Sequence, residues 1–139
     1  MLKRDYLENQ ITTATPAKLV EMLYTGAIHF LETAIRAMDN KDFDLAHAKT
    51  TRVQDIVMEL NVCLDLEKGG EIAQSLRSLY LYMYDQLIKA NTKKDSALVA
   101  EVQKLLIDLK DTWVQAMKDQ GSLAEKLPNP NQSRLNVAI

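Results

Sequence analysis

The sequence predicts an all-α protein, an antiparallel up-down-up-down four-helix bundle, and three observations carry that prediction. Glycine occurs 4 times and proline 3 times in 139 residues, mostly near helix ends or toward the C-terminus, so long intervals are free of helix breakers. Four of these intervals repeat apolar residues every three or four positions. Short polar segments separate them, and short connections force successive helices to run antiparallel.

Helix one opens at Thr15-Pro16. The Thr15 hydroxyl can cap the first turn, and Pro16 at the first helical position gives up an N–H that would be unpaired anyway. The helix is expected to run to Asp39, where Asp39-Asn40-Lys41-Asp42 supplies turn chemistry. Leu19, Met22, Leu23, Phe30, Leu31, Ala34 and Met38 form one apolar stripe, read as the core. Val20, Tyr24, Ile28 and Ile35 form a second, partial one, and that surplus needs a covering.

Helix two is expected over about 42–66, with Ala46, Val53, Val57, Leu60 and Leu64 in line. Gly69-Gly70 reads as a turn, after which Ile72, Leu76, Leu79, Met83, Leu87 and Ala90 trace helix three. Asn91-Thr92-Lys93-Lys94-Asp95 makes the next turn. Leu98, Val102, Leu105, Leu109, Trp113 and Ala116 mark helix four, which is expected to end near Gln120-Gly121. At 1.5 Å per residue the helices make a rod on the order of 35 Å long. The domain organisation follows: an N-terminal segment 1–14, one bundle domain 15–120, and a flexible tail 121–139 that contains Pro128 and Pro130.

Lys and Arg number 17 against 19 Asp and Glu, a net charge of −2 without long runs of one sign, so no field is aimed at nucleic acid. No signal peptide opens the chain and no apolar run is long enough for a membrane span, which makes the cytoplasm the expected compartment. The lone Cys63 can form neither an internal disulfide nor a cysteine metal site, and its apolar neighbours predict a buried structural thiol. His29 and His47 lie on separate helices with no Glu-x-x-His element, so neither metal ligands nor catalytic residues are assigned, and no cofactor is expected. Gly69-Gly70 follows a helix and lacks the further glycines of a phosphate loop.

Tyr80, Tyr82 and Tyr84 cannot share one buried face, because alternate helical residues point about 200° apart. Tyr80 and Tyr84 fall on one side and Tyr82 nearly opposite; core-edge packing and a binding face are both open to them.

The chain resembles a known family at many positions. Tyr6, Gln10, Thr13-Ala14-Thr15-Pro16, Leu19, Met22-Leu23-Tyr24, Gly26-Ala27-Ile28 and Phe30-Leu31 are similar to the opening of the flagellar export chaperones of the FliS family. The likeness continues through Glu59-Leu60, Leu64-Asp65, Glu67-x-Gly69-Gly70-Glu71-Ile72-Ala73, Leu79-Tyr80-x-Tyr82-Met83, Ala90-Asn91, Glu101-Val102 and Trp113. It departs at Lys3 and Thr25, where many members carry Tyr and an acidic or amide residue.

The resemblance implies a cytoplasmic, non-enzymatic four-helix bundle. It would bind the C-terminal segment of flagellin, prevent premature polymerisation and deliver the client to the type III export apparatus, with export gate components as further partners. It also implies that the segment 1–14, through Tyr6, Leu7 and Ile11, lies over the client site as a lid. Apolar surplus and matching positions together nominate Tyr6, Gln10, Leu19, Tyr24, Ile28, Tyr80 and Tyr84 as client contacts. The alternative use of the surplus is a homodimer, an interaction module without a secreted client. Nucleic acid and membrane insertion are not expected.

Overall fold

The computed structural model describes residues 14–126. They form α1 (Pro16–Asp39), α2 (Phe43–Val62), α3 (Leu66–Lys93) and α4 (Ser96–Lys126), with no strand among the described residues. Helix α1 packs against α2 and α4, α3 packs against the same two, and the diagonal pairs hardly touch. Cross-helix hydrogen bonds give the directions. Trp113 Nε1 donates to the Ala17 carbonyl at 3.0 Å and Gln103 Nε2 to the Ile28 carbonyl at 3.4 Å, so numbering rises on α1 as it falls on α4. Between α2 and α3, Asn91 Nδ2 donates to Thr50 Oγ1 at 2.7 Å and Gln54 Nε2 to the Tyr84 carbonyl at 3.3 Å, again antiparallel. The expected four-helix bundle is the observed one.

Local chemistry sets the helix starts. Thr15 Oγ1 accepts from the Lys18 N–H, Asp42 from the Leu45 N–H and Asp65 from the Lys68 N–H, each satisfying a donor that the first turn leaves unpaired. Helix α1 has the expected bounds. At its end Lys41 takes a φ of 62°, and the Asp42 N–H returns to the Ala37 carbonyl at 2.7 Å, closing the left-handed type of helix end.

Two boundaries differ from expectation. Gly69-Gly70 is not the turn between α2 and α3: Asp65 caps a turn of helix that already contains them, and α2 stops at Val62. The glycines instead mark a kink, since Gly70 sits inside α3 at φ 55° and ψ −133°, a conformation L side chains avoid. Helix α4 continues past Gln120 to Lys126.

On α1 the core draws on both stripes: Leu31, Ala34 and Met38 are buried as expected, and Val20 and Tyr24 join them from the second stripe, while Ile28 and Ile35 are half-buried. Ala27 is buried with them, whereas Leu23 and Phe30 are only half-buried at the core edge, as are Leu19 and Met22. The opposing surfaces come from Ala46, Val53, Val57 and Leu60 on α2, Tyr80, Met83, Leu87 and Ala90 on α3, and Val99, Val102, Leu106 and Trp113 on α4. Ile72, expected in the core, is exposed, and Ala73 beside it is buried in its place.

At the centre, the hydroxyls of Tyr24 and Tyr80 meet at 2.6 Å across the diagonal of the bundle. Burial raises the pKa of Tyr24, and the bond to Tyr80 only partly offsets that; Tyr80 is pushed well above the ordinary tyrosine range by burial and by its neighbour. Both hydroxyls therefore stay neutral at ordinary pH.

Single Tyr24→Phe or Tyr80→Phe replacement strands the other hydroxyl and is expected to cost about 1–3 kcal/mol in urea denaturation followed by Trp113 fluorescence. The double replacement should cost less than the sum of the two. Because both folded pKa values exceed the 10.0 of a free tyrosine, their contribution to stability is constant below pH 10. Above it, the unfolded chain releases protons that the folded chain keeps, so stability falls, by up to about 1.4 kcal/mol per pH unit per tyrosine. The double Phe variant should show the flatter alkaline decline. Gly70→Ala meets open space but keeps the unfavourable φ, and is expected to lower stability by about 1–3 kcal/mol in the same assay.

Candidate functional site

With Val20, Tyr24, Ala27 and Leu31 in the core, Leu19, Met22, Leu23 and Phe30 are left half-buried at its edge, and the first three of them border α2. There Pro16, Leu19, Val20, Met22 and Leu23 line a cleft of about 520 Å³ whose far wall is Glu59 and Cys63 of α2. A shallower hollow continues from it past Leu23, lined by Ile56, Glu59, Asp55 and Arg52. Beyond that, Lys49 Nζ and Arg52 Cζ lie 5.1 and 5.7 Å from the centre of the Phe30 ring. Each cation lies within the range of a favourable contact with the aromatic ring. The result is a groove along α1 and α2, apolar at one end and cationic at the other.

The sequence-nominated residues divide between several places. Leu19 lies in the cleft wall. Ile28 is half-buried against the core, and its carbonyl accepts from Gln103 of α4. Tyr84 is half-buried on α3, with its carbonyl held by Gln54. Tyr24 and Tyr80 are 2% and 0% exposed, so in this conformation no partner on the surface touches them; a buried hydroxyl needs a partner, and each supplies the other's. Tyr6, Gln10 and the segments 1–13 and 127–139 lie outside the described residues. Met22, Leu23 and Cys63 belong to the cleft and were not nominated. The signal for Met22 and Leu23 was present in the larger stripe of α1, which hydrophobicity alone assigned to the core. Cys63 is exposed rather than buried, because α2 ends at Val62 and the thiol sits on the cap residue at the cleft rim.

A second apolar area occupies α3. Leu81 and Ile88 are 42% and 48% exposed and flank Tyr84 at helical spacing. Tyr82, 44% exposed, donates to Glu101 of α4, and that bond raises its pKa.

Among the described residues no three His, Cys, Asp or Glu side chains come close enough to hold a metal, and no helix is long and apolar enough to cross a membrane. What the arrangement offers is an apolar groove on a bundle that already has a complete core. Such a surface has the character of a polypeptide-docking face rather than of a catalytic site. The model of the flagellar protein FliS family matches residues 1–120. The chain is 36% identical over 115 residues to the flagellar secretion chaperone FliS of Bacillus subtilis, covering 83% of this chain and 85% of that protein. It is 33% identical over 113 residues to the flagellar secretion chaperone FliS of Vibrio cholerae, with 81% and 83% covered. A third relative, flagellar secretion chaperone FliSB of Pseudomonas aeruginosa, is 35% identical over 107 residues, with 77% and 85% covered. The chain belongs to the FliS family of flagellar secretion chaperones.

An exposed thiol at the cleft rim is expected to react with Ellman's reagent in the native protein about as fast as in the urea-unfolded chain. A lag that disappears only on unfolding would show the rim to be covered.

Proposed function

We propose that the protein binds the C-terminal segment of flagellin in the cytoplasm, holds it out of polymerisation and passes it to the flagellar type III export apparatus. The observation that carries this reading is the apolar cleft of Pro16, Leu19, Met22 and Leu23 at the edge of the core, which no other described residue fills. A client without a fold of its own gains a helix by laying its apolar face into such a groove. Leu19 in the cleft, Ile28 on α1 and Tyr84 between Leu81 and Ile88 on α3 are the proposed contacts among the described residues. Tyr6 and Gln10 belong to the same proposal, as does the role of the segment 1–14 as a lid. Tyr24 and Tyr80 act from beneath, by holding α1 so that Leu19, Met22 and Leu23 stay at the cleft.

Calorimetric titration with a peptide of the C-terminal ~40 residues of the organism's own flagellin should give saturable binding with a strongly negative heat-capacity change, the mark of coupled folding and burial. Leu19→Asp should weaken binding at least tenfold while shifting the melting temperature little. Removal of 1–14 should tighten it if that segment is a lid. No binding by any of these forms, together with a mass that rises with concentration in sedimentation, would favour the homodimer instead.

A further inference from the structure

The two ends of the bundle are built differently. At one end the α1–α2 and α3–α4 connections are tied together: Lys94 Nζ lies 4.7 Å from the centre of the Phe43 ring, and Asn91 donates to Thr50 beside them. The α2–α3 connection stands alone at the other end. Among the described residues α2 and α3 are joined by the bonds of Asn91 to Thr50 and of Gln54 to the Tyr84 carbonyl, and none lies beyond Gln54 toward the connection. No residue of 61–72 is buried, a run of twelve, against seven at the α1–α2 connection (39–45) and eight at the α3–α4 connection (91–98). Of that run only Leu64 packs against the core. Asn61 Oδ1 is buried there with no hydrogen-bond partner among the described residues, a cost that the closed arrangement carries.

Within this run the backbone bonds are local. The Cys63 N–H donates to the Glu59 carbonyl at 3.2 Å and the Leu64 N–H to the Asn61 carbonyl at 3.2 Å. The Lys68 N–H donates to the Asp65 carboxylate at 3.0 Å and the Gly69 N–H to the Asp65 carbonyl at 2.7 Å, so this turn closes on Asp65 and not on the body of α3. Gly70 then leaves the helical conformation at φ 55° and ψ −133°, a swivel that glycine supplies without strain. Sparse apolar burial and local bonding, bounded by a glycine swivel, mark a segment that opens while the rest of a protein stays folded.

We infer that residues 63–69 form a flap that swings about Gly70 while the four helices stay packed, and that an occupied cleft holds the flap shut. Cys63 joins the two, because it lines the cleft wall with Glu59 and is also the first residue of the flap. A partner that binds only the formed wall draws the equilibrium to the closed state by its own binding energy. The swing belongs to the free chain. Its coupling to the cleft rests on the chaperone reading and adds a moving part to it.

The test is amide hydrogen exchange followed by NMR on the full chain. The hydrogen-bonded amides of Cys63, Leu64, Lys68 and Gly69 should exchange through one shared opening, with protection within about threefold of one another and unchanged by urea below the unfolding transition. Their protection should be at least about 100-fold below that of Leu31, Val57 and Val102 in the core. Graded protection among the four, or the urea dependence of the core amides, would overturn the flap. Gly70→Ala, shown to be folded by its circular dichroism melt, should speed all four together by about tenfold or more, since alanine resists the positive φ of the closed state. No change in that variant would overturn the hinge at Gly70. Adding the same ~40-residue flagellin peptide at saturation should slow the four in common by about tenfold or more. A peptide that binds and leaves them unchanged would overturn the coupling and leave the chaperone reading standing. A peptide that does not bind would overturn that reading and the coupling with it, and the flap would stand on its exchange in the free chain.

Discussion

The rotation of α1 about its own axis decides what every surface of this molecule is, and the hydrogen bond between Tyr24 and Tyr80 sets that rotation. Helix α1 carries more apolar surface than one inward face can hold, and the face turned inward takes residues from both of its stripes. A tyrosine hydroxyl taken out of water without a partner is costly. Tyr24 finds its partner only on the far side of the bundle centre, at 2.6 Å from Tyr80 of α3. Trp113 and Gln103 of α4 hold the same orientation from the side, through the carbonyls of Ala17 and Ile28. With Tyr24 inward, Val20, Ala27, Leu31 and Ala34 go inward with it, and Leu19, Leu23 and Phe30 are carried to the α2 flank.

Small residues make this solution workable. Ala27, Ala34, Ala46, Ala73 and Ala90 are fully buried where the helices approach one another, and close helix packing depends on the size of the side chains at the contact. Turning Leu19, Leu23 and Phe30 inward instead would expose Tyr24 and break its bond to Tyr80. The cleft is thus the consequence of a well-packed core rather than a defect in it.

The same logic explains what was legible in the sequence. Helix starts could be read because capping is local: Thr15-Pro16 needs only its own first turn. Both apolar rows of α1 could be read too, since the spacing belongs to the helix alone. Which residues of the two go inside could not, because the deciding contact joins residues 24 and 80. Hydrophobicity favoured Leu19, Met22, Leu23 and Phe30, and the structure buried Val20, Tyr24 and Ala27 instead. Tyr24 and Tyr80, nominated as client contacts, are buried for the same reason, whereas Leu19 lines the cleft. Gly69-Gly70 misled through composition: glycine pairs usually end helices, but the Asp65 cap starts α3 ahead of them, and Gly70 absorbs the mismatch as a kink. Cys63 followed from that boundary, for a shorter α2 leaves it on the rim.

Apolar area and charge have separate duties along the groove. The exposed charges Asp55, Glu59 and Arg52 stand in a high dielectric, where each contributes little to affinity. Burial of Leu19, Met22 and Leu23 against a partner is worth far more, since each large apolar side chain fully removed from water contributes about 1.5–3 kcal/mol. Apolar contact alone has no preferred direction, however, and a helix could lie in the same groove either way round. A wall that is acidic at one end and cationic at the other breaks that symmetry at small energetic cost, because complementary charge governs orientation and encounter more than strength. The proposed client, an unfolded segment that is held and later released, would be well served by that division. Binding strength would then reside in the apolar area, and orientation in exposed charges whose influence weakens as salt is added.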